Sequence, residues 1–177
     1  MNKPKEPILE TERLILRPLT VDDAKACFVW HSDERVNKFM SYPLITDIEE
    51  TKRWLSSLND EGAEYTWGFV LKENNLLVGN GAIGENIYMK GYWGIGYNLR
   101  YDYWNKGITT EAMRAIIDYA YKELGVNKIC SDHAVDNPAS GRVMEKCGLK
   151  FHHYGEYSKT DNSATFKAKF YTFEIED

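Results

Sequence analysis

The chain has 177 residues, 43% of them hydrophobic, with a formal net charge of −5. This length suffices for one domain with a hydrophobic core and is short for two, so we expect a single domain over residues 1–177. The acidic balance gives no general attraction to phosphate backbones, which argues against nucleic acid as a partner. No apolar run approaches the roughly 20 residues of a membrane span, and Met1 to Pro7 is polar, so we expect no membrane association and a cytoplasmic location.

The first part of the chain predicts one strand followed by two helices. Apolar and polar residues alternate over Ile8 to Leu19, as is typical of a strand. Thr20 then has the character of a helix cap before Ala24 to Trp30. Thr46 to Glu49 forms a capping box that begins a helix through Leu58.

The middle of the chain predicts three consecutive strands. Tyr65 to Leu71 and Leu76 to Ile83 flank a polar turn and indicate a hairpin, and Tyr92 to Leu99 follows as a third strand. Gly94 and Gly96 interrupt this third strand. Such glycines mark a bulge, a close approach by a ligand, or tight packing against an aromatic neighbour such as Trp93.

The last part of the chain alternates helices and strands. The clearest helix is Thr109 to Leu124, which carries an apolar stripe and ends at Gly125. The other predicted elements are a strand at Val126 to Cys130, a helix from the Asn137 cap to Gly148, and two strands at Leu149 to Tyr157 and Thr165 to Ile175. The elements together indicate an α+β protein with about seven strands.

The segment Trp104 to Thr109 has the features of an anion-binding loop. It lies between a strand and the N-terminus of the strongest helix, where unpaired backbone N–H groups and the helix dipole favour negative charge. It lacks the spaced glycines and the Gly-Lys-Ser/Thr ending of a nucleotide P-loop. An ordinary strand-to-helix turn that needs one glycine is the alternative interpretation.

Three segments carry a resemblance to a known family: Ile-Gly-Tyr-Asn-Leu at 95–99, Tyr-Trp-Asn-Lys-Gly-Ile-Thr-Thr-Glu-Ala at 103–112, and Asn137 to Gly148, which contains Asn-Pro-Ala-Ser-Gly-Arg-Val-Met-Glu-Lys-Cys-Gly. Together they resemble the GNAT N-acetyltransferase superfamily, and within it the ribosomal-protein N-terminal acetyltransferase (RimJ/RimL-like) branch. The resemblance implies the GNAT fold, a mixed and mostly antiparallel central sheet flanked by helices. It also implies acetyl-CoA as cosubstrate, without a metal.

The resemblance assigns cofactor roles to individual residues. Backbone groups of Asn98 and Leu99 would pair with the pantetheine arm, and Asn137 would hydrogen-bond the same arm. The pyrophosphate would lie on a loop whose backbone amides belong to Asn105, Lys106, Gly107, Ile108 and Thr109, with the Lys106 side chain adding positive charge. Asn105 and Thr109 stand where the family commonly has smaller residues. A plain helix cap would explain Asn137 equally well.

Ser140 is the predicted catalytic residue. It shares a helical face with Val143, Met144 and Cys147, so its hydroxyl should point inward. A buried hydroxyl needs a partner, and a departing coenzyme A thiolate would be one. Many family members have a tyrosine as the acid four residues later, at Met144 here. The alternative is a small residue chosen for packing and bonded to a backbone carbonyl.

The general base is less well defined. Relatives often carry glutamate just before Ile-Gly-Tyr, where this chain has Gly94. Glu85, at a strand end expected near the cleft, and His133 and Asp136, expected on its rim, are alternatives. Each is a better candidate for a structural or substrate-contacting role.

The absent glutamate favours an acceptor amine with a low pKa. At pH 7 an α-amine is ~10% neutral, whereas a lysine side chain is about 0.04% neutral. We therefore expect direct acetyl transfer to a protein or peptide N-terminus, a class that includes ribosomal protein N-termini. A small-molecule amine, or a non-catalytic acyl-CoA-binding module, is the alternative.

The resemblance also implies a wall of the acceptor site, formed by the region that holds Trp30, His31, Phe39, Met40 and Tyr42. Most of these side chains should nevertheless belong to the core.

The cysteines predict neither disulfides nor a covalent intermediate. Cys27, Cys130 and Cys147 are odd in number and lie in apolar patterns, as expected of free thiols in a reducing compartment. Cys147 has no evident base, so we expect no acetyl-enzyme. An exposed edge in the last two strands would allow a homodimer.

Overall fold

The protein is described from a computed structural model that covers residues 6–60 and 62–175. One eight-stranded sheet has the order β1-β2-β3-β4-β5-β6-β8-β7, and helices cover both of its faces. Single 3-10 turns lie at Val21–Asp23 and Tyr101–Tyr103. The strands and helices in chain order are β1 Leu9–Glu10, β2 Leu14–Pro18, α1 Ala24–His31, α2 Glu34–Asn37, α3 Ile48–Ser57, β3 Tyr65–Leu71, β4 Leu77–Glu85, β5 Trp93–Leu99, α4 Ile108–Leu124, β6 Lys128–Ala134, α5 Pro138–Lys146, β7 Lys150–Ser158 and β8 Thr165–Glu174.

The prediction of one strand over Ile8 to Leu19 is wrong, because the chain turns back on itself at Thr11. The Thr11 N–H donates to the Leu14 carbonyl at 3.0 Å, and the Leu14 N–H donates to the Thr11 hydroxyl at 3.1 Å. Two short antiparallel strands result, which raises the count from about seven to eight. Of the polar segment Met1 to Pro7, residues 1–5 lie outside the described part of the chain.

The two faces of the sheet have separate hydrophobic clusters. Helix α4 packs on one face, and its buried stripe contacts Phe69 and Ile83 among others. Helices α1 and α3 cover the other face, over residues such as Val70 and Leu77. Strand β3 is therefore apolar on both faces, as expected of a strand covered on both sides. Gly125 ends α4 at φ +68°, as predicted.

Strands β5 and β6 pair only at one end. They run parallel, and their ladder consists of Trp93 opposite Ile129 and Gly94 opposite Cys130. One further link follows, from the Ser131 hydroxyl to the Ile95 carbonyl at 3.0 Å. Beyond it the strands separate, while β6 continues along β8 to Ala134. We call the resulting gap between the C-terminal ends of β5 and β6 the β5–β6 opening.

Strand β6 is longer than predicted. The apolar pattern indicates Val126 to Cys130, whereas the strand is Lys128–Ala134. Residues 131–133 are Ser-Asp-His, whose polar side chains are typical of a loop. They nevertheless supply three of the seven register pairs between β6 and β8. The pairing partner, rather than hydrophobic periodicity, extends this strand.

Strand β7 forms one edge of the sheet. Its residues are exposed except for Tyr157, and Tyr154 is 68% exposed. The predicted homodimer would use this edge. In the described part of the chain, no helix is long and apolar enough to cross a membrane.

Candidate active site

The predicted anion loop has two residues in the left-handed backbone region. Gly107 is the N-cap of α4 at φ +75°, and Asn105 lies at φ +60°. Asparagine tolerates this conformation better than other side chains do, which explains why it can stand where glycine is common. No side chain caps α4, so the N–H groups of its first turn are left for a ligand. The arrangement fits a pyrophosphate.

Arg13 holds this loop in place, a role that no sequence pattern indicates. Its guanidinium donates to the Lys106 carbonyl at 2.8 Å and to Glu111 at 2.7 Å. Glu111 also accepts from the Thr11 hydroxyl at 2.6 Å. Burial alone would raise the pKa of Glu111, but these hydrogen bonds lower it. Since Arg13 and Glu111 are 98 positions apart, no local sequence pattern predicts that Arg13 binds both Glu111 and the loop.

Backbone direction decides which groups of β5 face the opening. The Arg100 N–H donates to Val78 and the Asn86 N–H to Tyr92, so alternation directs the backbone groups of Asn98 toward β4. The backbone groups of Tyr97 and Leu99 point to the opening. The backbone groups of Asn98 therefore pair with β4 and are not free for the predicted contact with pantetheine. Those of Tyr97 would make this contact instead.

Leu99 has one free backbone group toward the opening. Its carbonyl accepts from the indole N–H of Trp104 at 2.8 Å. Its N–H has no partner among the described residues. The Leu99 contact therefore stays a prediction for the N–H alone, and Trp104 fixes the start of the anion loop against β5.

Gly96 forms an open part of the β5 surface. A Cβ added there would meet no atom within 4 Å, and the residue is exposed. A Cβ at Gly94 would meet the Asn86 side-chain amide nitrogen at 3.1 Å. The register of β4 and β5 is continuous, which excludes a bulge. Of the three roles considered for these glycines, a close ligand approach remains for Gly96.

Asn137 is the N-cap residue of α5, but its side chain does not cap the helix. Pro138 follows at the first helical position, and the Asn137 side chain makes no cap hydrogen bond. The plain-cap alternative is therefore contradicted. An asparagine side chain at the mouth of the opening, unpaired within the described part of the chain, is available for a ligand.

Ser140 has a side-chain partner that the sequence did not reveal. The hydroxyl of Tyr97, on β5, lies 2.9 Å from Ser140 Oγ and donates to the Ser140 carbonyl at 3.0 Å. Because Tyr97 has one proton, Ser140 donates to the tyrosine oxygen when Tyr97 donates to the carbonyl. Burial raises the pKa of Tyr97, so it stays protonated. The two hydroxyls bridge the β5–β6 opening.

Two of the three alternative bases lie away from their expected places. Glu85 ends β4 opposite Trp93, where β5 and β6 still pair, and not near the opening. His133 is in β6 rather than on the rim, 5% exposed, with Nε2 against Gly141 of α5. Asp136 lies exposed in the turn before Asn137, so a place on the rim stays a prediction for this residue alone.

Asp132 is a carboxylate beside the opening that the sequence analysis missed, because the predicted strand ended too early. It lies in β6 two residues beyond Cys130, where that strand was expected to have ended. Its side chain is exposed, yet desolvation by the surrounding protein raises its pKa. Both properties fit a residue on the floor of an open cleft. Had the strand been extended to Ala134, the alternation of side chains would have put Asp132 on the same face of the sheet as Cys130.

Comparison with known proteins identifies the family. A family model described as an acetyltransferase (GNAT) domain matches residues 13–150. The chain is a member of the GNAT acetyltransferase family. The uncharacterized N-acetyltransferase p20 of Bacillus licheniformis is 30% identical over 145 residues, covering 80% of this chain and 82% of the relative.

Solved structures confirm the GNAT fold. A GNAT-family acetyltransferase from Bacillus anthracis matches with a TM-score of 0.81 and 26% identity, over 95% of this chain and 98% of that chain. The ribosomal-protein-S5-alanine acetyltransferase of Vibrio fischeri matches with a TM-score of 0.78 and 19% identity, over 97% and 98%. The second likeness shows the fold alone, so the RimJ/RimL-like branch stays a prediction.

The predicted acceptor wall of this acetyltransferase is the loop after α2. Its Tyr42 hydroxyl donates to the Asn98 side chain at 2.7 Å, and its Phe39 ring packs against Phe166 with centroids 5.7 Å apart. The Tyr157 hydroxyl donates to the Phe39 carbonyl at 2.6 Å. Trp30 and His31 are buried core residues, as expected of most of these rings.

Lys159 ties this loop to the turn between β7 and β8. Its ammonium donates to both oxygens of Asn37 at 2.9 Å, to the Met40 carbonyl at 3.0 Å and to the Tyr42 carbonyl at 3.1 Å. Lys159 is 8% exposed. A lysine in a polar turn gave no sign of this burial, since all its partners lie far away in sequence.

Replacing Lys159 by methionine should loosen the acceptor wall. The change leaves buried carbonyls without their donor, and we expect a loss of about 2–3 kcal/mol in unfolding free energy. The Michaelis constant for the acceptor should rise more than the dissociation constant for coenzyme A. Chemical denaturation, calorimetry and steady-state kinetics measure these quantities. Lys167→Met, an exposed position in β8, is the control, and equal effects in both variants would contradict the role of Lys159.

Proposed function

We propose that this acetyltransferase transfers an acetyl group from acetyl-CoA directly to the α-amine at the N-terminus of a protein or peptide. The observation that carries the proposal is the β5–β6 opening, which has an uncapped helix N-terminus at one side and the Tyr97–Ser140 hydroxyl pair across it. Membership of the family supports acetyl-CoA as the donor, and the residues around the opening support a site for its pyrophosphate and its pantetheine arm.

The donor would lie along the opening. The amides of Asn105 to Thr109 would receive the pyrophosphate, with Lys106 beside them. Backbone groups of Tyr97 and the N–H of Leu99 would hydrogen-bond the pantetheine arm in the way that a neighbouring strand does. The side chain of Asn137 would bond the same arm from the other side. The thioester would then lie close to Ser140.

Ser140 would act as the acid. Its hydroxyl would donate a proton to the sulfur as the carbon–sulfur bond breaks, and Tyr97 would orient it through the 2.9 Å contact. Direct transfer is supported by the state of Cys147. Burial raises the pKa of this thiol to about 11, so it is protonated near neutral pH and is a poor nucleophile.

The α-amine is favoured because so much of it is neutral at pH 7. Gly94 and Gly96 place no carboxylate on β5 beside the opening, so an amine that deprotonates readily is the better acceptor. The ribosomal-protein acetyltransferase among the structural relatives acts on a protein, which agrees with this choice. We place a ribosomal protein N-terminus within this acceptor class.

A panel of amines tests the proposal. Coenzyme A should first raise the melting temperature of the protein. Mass spectrometry then compares a lysine-free peptide with a free N-terminus, an N-acetylated peptide with one lysine, a polyamine and an amino sugar. We expect acetylation of the first peptide to dominate. Preference for lysine, the polyamine or the amino sugar would contradict the acceptor, and binding of acetyl-CoA without any turnover would contradict enzymatic activity.

A further inference from the structure

We infer that Asp132 binds the ammonium form of the acceptor and takes its proton before attack on the thioester. This inference rests on the proposed function and assigns the base for it. It concerns a residue on β6, the strand across the opening from the glycines of β5.

The register of β6 places the Asp132 side chain on the acceptor face of the sheet. Ser131 and His133 flank it and point the other way, since His133 contacts Gly141 of α5. Asp132 lies opposite Phe170 of β8. The Phe170 ring stacks on His153 of β7 with centroids 4.6 Å apart. Asp132 therefore stands at the end of an aromatic row, beside the opening.

The position along the strand is also suitable. Cys130 pairs with Gly94, so Asp132 and Gly96 are each two residues beyond the last β5–β6 pair. Gly96 has open space above it and leaves that side of the opening clear. An amine that approaches over Gly96 would meet the Asp132 carboxylate from the neighbouring strand.

Electrostatic coupling connects Asp132 with both halves of the site. Burial is the main cause of the raised pKa of Tyr97, which is hydrogen-bonded to Ser140, and of Tyr157, which is hydrogen-bonded to Phe39 of the acceptor loop. The charge of Asp132 raises both pKa values further. Asp132 thus lies within electrostatic range of the acid and of the acceptor wall. It makes no hydrogen bond or ion pair within residues 6–60 and 62–175, so its oxygens are available to an ammonium group.

None of the titratable groups described near Asp132 supplies a positive charge that would pair with its carboxylate in place of the acceptor ammonium. Cys130 on β6 is a buried thiol with a raised pKa, and Tyr97 and Tyr157 are neutral phenols. His133 favours the charged carboxylate but faces α5. His153 lies behind Phe170, two strands away. Desolvation is the main cause of the raised pKa of Asp132, which makes it a better proton acceptor than an ordinary aspartate.

The proton balance closes with these residues. Asp132 takes one proton from the ammonium group, and the neutral nitrogen forms a bond to the acetyl carbonyl carbon. As the carbon–sulfur bond breaks, Ser140 gives its proton to the sulfur and recovers one from the new amide nitrogen. Asp132 then releases its proton to solvent. The products are an acetylated amine, coenzyme A and one proton.

The test is Asp132→Asn, assayed with the α-amine peptide at pH 7 and at about pH 9.5. Because ~10% of an α-amine is neutral at pH 7, loss of the base should cost about tenfold in kcat/KM there. At about pH 9.5 nearly all of the amine is neutral, so the deficit should fall to about twofold or less. Calorimetry should show weaker binding of the peptide to the enzyme saturated with coenzyme A, and unchanged binding of coenzyme A itself.

Two variants make the result decisive. Asp22→Asn removes an exposed carboxylate of the 3-10 turn Val21–Asp23, away from the opening, and should leave the pH profile unchanged. Asp132→Glu should recover part of the activity at pH 7. If the Asp132→Asn deficit is absent, or is the same at both pH values, Asp132 is not the base, although the proposed function stands. If the wild-type protein binds acetyl-CoA but acetylates no amine, the proposed function itself fails.

Discussion

Replacing Ser140 by alanine is expected to lower kcat about 100-fold, the lower range of what a positioned acid contributes. The physical reason is the loss of the proton donor at the sulfur, since the remaining Tyr97 hydroxyl donates to the Ser140 carbonyl. The dissociation constant for coenzyme A should change by less than about twofold, because the predicted donor contacts are elsewhere. Rapid-quench kinetics and calorimetry measure the two quantities.

Two further variants separate chemistry from packing at this position. Tyr97→Phe removes the orienting hydroxyl but keeps Ser140, and should lower kcat by about tenfold. Ser158→Ala removes another serine that is paired with a hydroxyl, that of Thr165 at 2.7 Å, outside the opening. It should have wild-type kinetics. A Ser140→Ala protein that loses coenzyme A affinity and kcat equally would reassign Ser140 to a structural role.

Substitution of Gly107 by valine is expected to weaken coenzyme A binding by about 100-fold. Valine at φ +75° is strained, and relief of the strain would turn the loop amides away from the pyrophosphate. Loss of two hydrogen bonds to a charged group, at about 1.5–3 kcal/mol each, is sufficient for this effect. Isothermal titration of coenzyme A into the variant measures it.

Gly125 offers a matched control at the other end of the same helix. It has φ +68°, and no atom lies within 4 Å of an added Cβ. Gly125→Val should therefore cost a similar amount of stability and leave coenzyme A affinity unchanged. If both variants bind coenzyme A with equal affinity, the loop at Gly107 is not the pyrophosphate site.

The sequence predicts the parts of the fold where local signals and packing agree. The α4 helix is correct within one residue because its apolar stripe faces one side of the sheet and Gly125 ends it. The strand from Tyr92 and the first strand of the hairpin before it are likewise correct within one residue at each end. The one-turn helix α2, Glu34–Asn37, between the two predicted helices was missed. Two errors in the strands, at Thr11 and after Cys130, arise where hydrogen bonds override the apolar pattern. In the first a hydroxyl makes a turn, and in the second β8 extends a polar strand.

In the candidate site, too, the residues with local sequence signals were predicted and those with distant partners were not. The anion loop and Ser140 are evident from short segments, because a glycine before a helix and a serine on its inward face are local signals. Arg13, Tyr97 and Lys159 act through partners more than 40 positions away, so no window along the chain contains both members. Asp132 was missed for a different reason, since an error in the end of a strand also hides which face each residue occupies.

The short β5–β6 ladder has a consequence for the order of binding. Within the sheet itself, two residue pairs and one serine hydroxyl join β5 to β6, and with them the half from β1 to β5 to the half from β6 to β8. The other contacts between the two halves described above, such as Tyr97 with Ser140 and Lys159 with Asn37, lie outside this ladder. A donor molecule in the gap would act as an inserted ninth strand and hydrogen-bond both halves. The proposed acceptor surface has residues from both halves, Tyr42 and Asn98 from one and Asp132 and Tyr157 from the other. Binding of the donor between β5 and β6 would therefore fix the two halves of the acceptor site relative to each other before the acceptor binds.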